Sequence, residues 1–199
     1  MFTPKGYTTI GQIQNYLLTD IDLAFQTQVN DWIAQVEKYI DQKTGRNFVA
    51  DATDSIRSYD GNGISELLID DCVSITKIEI RSTDGEVLED DLVAGTDYFL
   101  EPSNETPKNQ IRLYGYIFSK GIQNIKITGK WGFSSTVPAD IMTAATVLVA
   151  NIINFSNQSD GEIQSMAVGR YTVSFKDKKQ IEDFEQVEEI LDSYKKYEF

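Results

Sequence analysis

The chain has no histidine, one cysteine, four prolines and only 18 lysines and arginines against 31 acids in 199 residues. Each shortage removes a class of function. Without histidine there is no Ser-His-Asp or Cys-His relay, and the usual general base near neutral pH is missing. A single cysteine, Cys72, forbids an internal disulfide, and the counts exclude a zinc site built from cysteine and histidine. The lone thiol fits a reducing compartment. A net charge of −13 excludes generic binding to a nucleic-acid backbone, which needs cations facing the phosphates. The acids read first as a solubilising surface. No Gly-x-x-x-x-Gly-Lys-Ser/Thr run occurs to cradle a phosphate. The first residues lack the charged-then-apolar pattern of a signal peptide. The most apolar run, Ile141 to Phe155, is interrupted by Thr143, Thr146, Asn151 and Asn154, and it falls short of the roughly 20 residues that a membrane span requires. The expectation is a soluble protein folded in the cytoplasm, with no membrane partner.

What is present is a 41% hydrophobic content spread along the whole length, enough for one core carrying a large insertion. Thr9 and Gln12 stand at capping-box spacing. Ile10, Ile13 and Leu17 follow at helical spacing and predict a short helix to about Leu18. Asp20 is placed to cap a second helix, in which Phe25, Val29, Trp32, Ile33, Val36, Tyr39 and Ile40 share one face and Gly45 ends the run. From about Val49 the period changes to two. Ile56 to Tyr59 and Ile64 to Ile69 flank Asp60-Gly61-Asn62-Gly63, which predicts a hairpin. Val73 and Ile75 lie in one phase and Ile78 and Ile80 in the other, so a bulge is expected near Thr76 and Lys77. Asp84-Gly85 marks another turn, and Tyr98 to Leu100, Ile111 to Tyr114 and Ile125 to Trp131 read as strands. Glu101 to Gln110, with Pro102 and Pro107, reads as an exposed loop.

Pro138 sits at a first helical position with Asp140 behind it. Ile141, Ala144, Ala145, Leu148, Val149, Ile152 and Ile153 make the cleanest helical stripe. Ser156 to Met166 is polar and is expected to be mobile. Arg170 to Phe175 alternates as one strand. Asp177 and Gln180 repeat the capping spacing before a last helix carrying Ile181, Phe184, Val187, Ile190, Leu191 and Tyr194. The fold class is therefore α+β. About four helices form a bundle from residues 1–50 and 136–199, with a short strand near 170–175. A β-rich subdomain, residues 51–135, is inserted between the second and third helices.

Chemistry would have to come from the paired acids Asp70-Asp71 and Glu89-Asp90-Asp91, which stand at turn-like positions and read as solvated faces. Asp60-Gly61-Asn62-Gly63 begins like a calcium loop but lacks the later glycine and the bidentate glutamate. Cys72 reads as a small buried apolar residue. Tyr114, Tyr116 and Phe118 either stack on a ligand or pack at a strand end. Tyr194 continues the core stripe of the last helix, whereas Tyr197 and Phe199 lie beyond it as docking anchors or frayed ends.

Four stretches in this order resemble the head–tail connector (adaptor, or head-completion) proteins of tailed bacteriophages. The first is Thr9 to Leu18 followed by a long helix ending in Thr44-Gly45-Arg46. The second is Val73 to Ile78 with the Asp84-Gly85 turn and Asp97-Tyr98 beyond. The third is Ile125-Lys126-Ile127-Thr128-Gly129-Lys130-Trp131-Gly132-Phe133 leading into Val137-Pro138-Ala139-Asp140-Ile141. The fourth is Val168 to Phe175. The resemblance implies a non-enzymatic subunit without cofactor or metal, assembled as a dodecameric ring with copies of itself in the virion neck. Its implied partners are the portal above and a stopper or tail-completion protein below, with genomic DNA passing through the lumen without specific binding. Assembly is expected in the host bacterial cytoplasm. Tyr194, Tyr197 and Phe199 are the expected portal contacts. Asp160, Tyr114, Tyr116 and Phe118 are the expected contacts with neighbours or tail. Three rivals make different demands. A β-rich tail or baseplate module that recognises a glycan or protein needs an aromatic groove near Tyr114 to Phe118. An enzyme needs Asp70, Asp71, Glu89 or Asp91 to converge. A DNA mimic needs acids spaced along one face like phosphates.

Overall fold

Thr9 opens the first helix, α1 (Ile10–Leu17), through the expected capping box: its hydroxyl accepts from the Gln12 N–H, and the Gln12 side chain accepts from the Thr9 N–H at 2.8 Å. The structure, a computed structural model, describes residues 3–82, 84–156, 164–168, 171–175 and 178–196. Helix α1 stops on Leu18, which is left-handed at φ +54°. The second helix, α2 (Gln26–Thr44), is not capped by Asp20. Its cap is Phe25, which contributes no side-chain hydrogen bond. Asp20 instead accepts from Gln14 Nε2, and the Asp22 carboxylate accepts from the Ala24 N–H at 3.0 Å. That turn uses up the residues before Phe25, whose ring meets Trp32 edge-on at 5.3 Å. Gly45 ends α2 as expected, at φ +69° with its N–H on the Asp41 carbonyl.

Six strands follow: β1 (Ser55–Gly61), β2 (Glu66–Arg81), β3 (Val87–Glu89), β4 (Tyr98–Glu101), β5 (Lys108–Leu113) and β6 (Gly121–Trp131). They form one antiparallel sheet in the order β1-β6-β2-β5-β4, with β3 beside β2. The hairpin expected across Asp60 to Gly63 does not form, because β1 pairs with β6 rather than β2. The physical reason is a buried joint on Asn124. Its side chain accepts from the Gly61 N–H at 2.9 Å and donates to the carbonyls of Ser119 at 2.7 Å and Arg81 at 2.9 Å. Gly61 runs so close to Ser119 that a Cβ there would lie 1.8 Å from the Ser119 carbonyl oxygen. Strand β6 is paired on both sides, and Ile125, Ile127 and Trp131 alternate inward from it, fully buried.

The phase switch in β2 is a register shift between Ile75 and Lys77, as the sequence predicts. A second shift follows Cys72. The first half of β2 pairs with β5 and the second half with β6, so Cys72, opposite both Lys108 and Trp131, is the corner where the strand changes partner. Side chains of β1 meet the first half of β2: Arg57 binds Asp70 at 2.7 Å, the Tyr59 hydroxyl donates to the same carboxylate at 3.1 Å, and Arg57 lies 4.7 Å from the Trp131 ring centre. Burial, more than any other cause, pushes the Tyr59 phenol well above its ordinary pKa.

The chain leaves the sheet as it entered it. Val49 bridges Ser134, the Phe133 N–H meets the Asn47 carbonyl at 2.8 Å, and the rings of Phe48 and Phe133 stand 5.3 Å apart. Gly132, at φ +142°, fits here because a Cβ would fall 2.5 Å from the Ala50 Cα. The third helix, α3 (Ala139–Ser156), starts one residue after Pro138, whose carbonyl accepts from the Met142 N–H. The hairpin β7 (Gln164–Val168) and β8 (Tyr171–Phe175) and the last helix, α4 (Lys178–Ser193), complete the order. A lone strand was expected here. The structure pairs it with β7, which takes in Gln164 to Met166 of the stretch expected to be mobile. Residues 157–163 of that stretch, including Asp160, lie outside the described residues, as does Asp177.

Met1–Arg46 with Val137–Phe199 forms one compact unit, and Asn47–Thr136 forms the other. In the helical unit α3 touches α1, α2 and α4. Ile141, Ala144, Ala145, Leu148 and Val149 are fully buried, and the small alanines let the neighbouring helices close in. By length and apolarity α3 would suffice to cross a membrane, but 56% of it is buried inside the protein, as in a core helix. The segment before α1 is tied to α2 by Glu37, a buried carboxylate that accepts from the N–H groups of Lys5, Gly6 and Tyr7 at 2.6, 2.8 and 2.8 Å. The Tyr7 hydroxyl donates to Asp41, and Thr8 and Thr146 share a hydrogen bond at 2.7 Å.

Candidate functional site

The paired acids do not gather into a reactive cluster. Asp70 is engaged by Arg57 and Tyr59, and Asp90 is bound by Lys77 at 3.0 Å. Asp71 is buried at the β2 corner, while Glu89 pairs opposite Ile80 in β3. Among the described residues no group of three His, Cys, Asp or Glu side chains is arranged to hold a metal ion. The side chains of the calcium-like turn are taken up by backbone groups. The Asp60 carboxylate accepts from the Gln123 N–H at 2.7 Å, the Asn62 side-chain oxygen accepts from the Ile64 N–H, and its amide donates to the Glu66 carbonyl.

Cys72 is fully buried. Burial first, then the neighbouring Asp71 charge, pushes its thiol up to about 12. The thiolate is the reactive species. Alkylation by iodoacetamide at pH 8 should therefore run at least about a thousandfold slower in the folded chain than in urea. A folded chain that labels at the unfolded rate would contradict this placement.

Two surfaces remain as places where the protein can meet others. The first lies at the end of α4, where the Thr44-Gly45-Arg46 turn clasps the chain. The Thr44 hydroxyl donates to the Ile40 carbonyl, and the Thr44 carbonyl accepts from the Lys196 N–H at 2.7 Å. Arg46 Nε donates to the Tyr194 carbonyl at 2.6 Å. Alongside, Glu188 of α4 takes the Tyr39 hydroxyl at 2.7 Å and Lys43 Nζ at 2.5 Å. Tyr194 is half-buried, and its hydroxyl donates to the Asp140 carboxylate in the first turn of α3 at 2.9 Å. Tyr197 and Phe199 lie outside the described residues, so the structure fixes the chain just before them.

Burial first, then the hydrogen bond to Asp140, raises the Tyr194 phenol from 10.0 to about 12. The fold favours the neutral phenol, so this contact contributes fully below pH 10 and is lost as the pH rises through about 12. Tyr194→Phe should lower the urea midpoint at pH 8 and lose less than the parent chain between pH 8 and pH 11. Equal losses in both chains would count against it.

The second surface is the tip made by the β1–β2 and β5–β6 connections. Tyr114 is 74% and Ile117 57% exposed, and Tyr116 and Ile64 are also exposed. Phe118 corrects the expectation of a surface aromatic. It is fully buried, because its N–H and carbonyl pair with the Ile64 carbonyl and the Gly63 N–H and turn its ring into the sheet core. Ile64 and Ile117 as surface residues, and Asn124 and Glu37 as buried polar anchors, are not among the residues that the sequence singles out. The alternation around Phe118 was the available signal for Ile117.

No family model matches the sequence, and no curated protein matches it. Solved structures do. All of this chain aligns with 94% of a chain in the neck of an empty gene transfer agent (GTA) particle computed with C6 symmetry, at a TM-score of 0.60 and 12% identity. It likewise aligns over its full length with 94% of a chain in the virion of a native GTA particle, at a TM-score of 0.58 and 13% identity. A chain in the neck of a native GTA particle computed with C12 symmetry matches over 96% of this chain and 89% of that one, at a TM-score of 0.54 and 13% identity. At such identities the likeness is one of fold.

Proposed function

We propose that the chain is a structural, non-enzymatic subunit of a virion neck: a head–tail connector (adaptor) whose ring seats on the portal and continues the DNA channel toward the tail. The observation that carries this reading is the extent of the likeness. It covers the whole chain and nearly all of its counterpart, so both helical arms and the insertion correspond together and not through one shared motif. The two matched necks were computed with C6 and C12 symmetry, which supports many copies about an axis, and we infer a dodecamer. A net charge of −13 suits a lumen through which DNA slides, since few cations are available to hold phosphates. In this reading residues 1–50 and 136–199 act as the helical body and residues 51–135 as its insertion. The ring assembles in the host bacterial cytoplasm, and a stopper or tail-completion protein binds below.

We further propose Tyr194, Tyr197 and Phe199 as portal anchors, because aromatic side chains are among the residues that dominate such contacts. The test is co-sedimentation of the purified chain with portal rings of the same particle. The intact chain should co-sediment. Deleting residues 197–199 should weaken binding at least about tenfold, the effect of losing one or two anchors. Unchanged binding would remove the C-terminal tail from the interface, and no binding by the intact chain would count against the adaptor role.

A further inference from the structure

An acid-rimmed apolar pocket and an apolar tip stand on different units of the same chain. We propose that in the assembled ring the tip of one copy seats in the pocket of the next. The inference rests on the ring reading above.

The pocket, about 380 Å³, lies between the α1–α2 turn and the C-terminal end of α3. Leu17, Ile21, Phe25 and Ile153 line it together with Asp20 and Asp22. Beside it Leu18 is 90% and Leu23 80% exposed. Leu18 is also held at φ +54°, where a Cβ crowds the following carbonyl. Solvent exposure and a left-handed backbone both work against leucine in an isolated subunit. A partner that covers the patch would offset both.

The tip has the complementary character. Ile64, Tyr114, Tyr116 and Ile117 expose apolar surface, and two backbone hydrogen bonds between Gly63-Ile64 and Phe118 hold them on a loop anchored in the core. Lys120, exposed beside Gly63, is the one lysine or arginine in residues 114–120. Seated in the pocket, the apolar residues would meet Leu17, Ile21 and Phe25, and Lys120 would meet Asp20 and Asp22. Charge complementarity of this kind sets register and partner choice. Because the two surfaces are different, the contact is head-to-tail, and such contacts close into rings when the rotation permits. Each copy then uses both surfaces once, and none stays uncovered.

Cysteine cross-linking of the full chain tests this, since the native Cys72 is buried. Leu23→Cys and Ile117→Cys are introduced together and separately. Under mild oxidation the double variant should give a disulfide-linked ladder reaching beyond dimers, whereas each single variant should stop at dimers. Asp22→Lys should weaken self-association about tenfold by analytical ultracentrifugation, and adding Lys120→Glu should recover part of the loss. If the chain forms rings but gives no ladder and ignores the charge reversals, the inference is overturned and the ring reading stands. A chain that stays monomeric alone overturns the inference too. The ring reading falls with it only if the same chain also fails to form a ring on the portal.

Discussion

Replacing Glu37 with alanine should destabilise the helical unit by about 3 kcal/mol and release the segment before α1. Glu37 lies on α2 between Val36 and Ile40, both fully buried, and is itself 1% exposed. Three backbone N–H groups, of Lys5, Gly6 and Tyr7, point at its carboxylate. Hydrogen bonds to a charged acceptor contribute more than neutral ones, and truncating the acceptor leaves several donors unpaired. The loss spreads further, because the same segment carries fully buried Tyr7 and the Thr8 hydroxyl that meets Thr146 on α3. Urea unfolding should give a lower midpoint, and hydrogen exchange at residues 5–8 should accelerate by orders of magnitude. Glu37→Gln keeps an acceptor of the same shape and should cost less than half as much. If the alanine variant unfolds within about 0.5 kcal/mol of the parent, the ordinary scatter of surface changes, the carboxylate does not organise this segment.

The second large effect is expected at the joint of the sheet. Asn124→Ala removes the acceptor for the Gly61 N–H and the donors for the Ser119 and Arg81 carbonyls. Three backbone groups lose a buried partner together, which should destabilise the β unit by about 3 kcal/mol. Gly61→Ala attacks the same place from the other side, since its Cβ would stand 1.8 Å from a backbone oxygen that cannot swing away. Moving β1 off β6 to relieve that clash should cost at least about 2 kcal/mol. Both substitutions break one joint, so the double variant should lose clearly less than the sum of the single losses. Strict additivity would show that Gly61 and Asn124 act independently.

The features written in short-range pattern were legible in the sequence. The capping box of Thr9 and Gln12, the end of α2 at Gly45, the buried stripe of α3 and the shift of β2 at Ile75–Lys77 each depend on residues within a turn or two of one another. Partner choice was not local. Asp60 to Gly63 carries strong turn chemistry, yet β1 pairs with β6 because Asn124, far along the chain, captures Gly61. The cap of α2 departs from the expected Asp20 for a similar reason: Asp22 folds the residues before Phe25 into a turn that Asp20 alone does not announce. Glu37 carries no local sign of burial, since nothing in its neighbourhood of sequence says that a segment thirty residues earlier will cover it. At the tip, the aromatic cluster was visible but its division was not. Only the pairing of residues 63–64 with Phe118 decides that Phe118 turns inward while Ile117 and Tyr116 remain outside.

Whether this fold builds a neck can be seen in one experiment: the purified chain mixed with its portal and imaged by negative-stain electron microscopy. The expected image is an added ring, coaxial with the portal and enclosing an open channel. A bare portal beside free single subunits, or copies attached without common rotational order, would contradict the account.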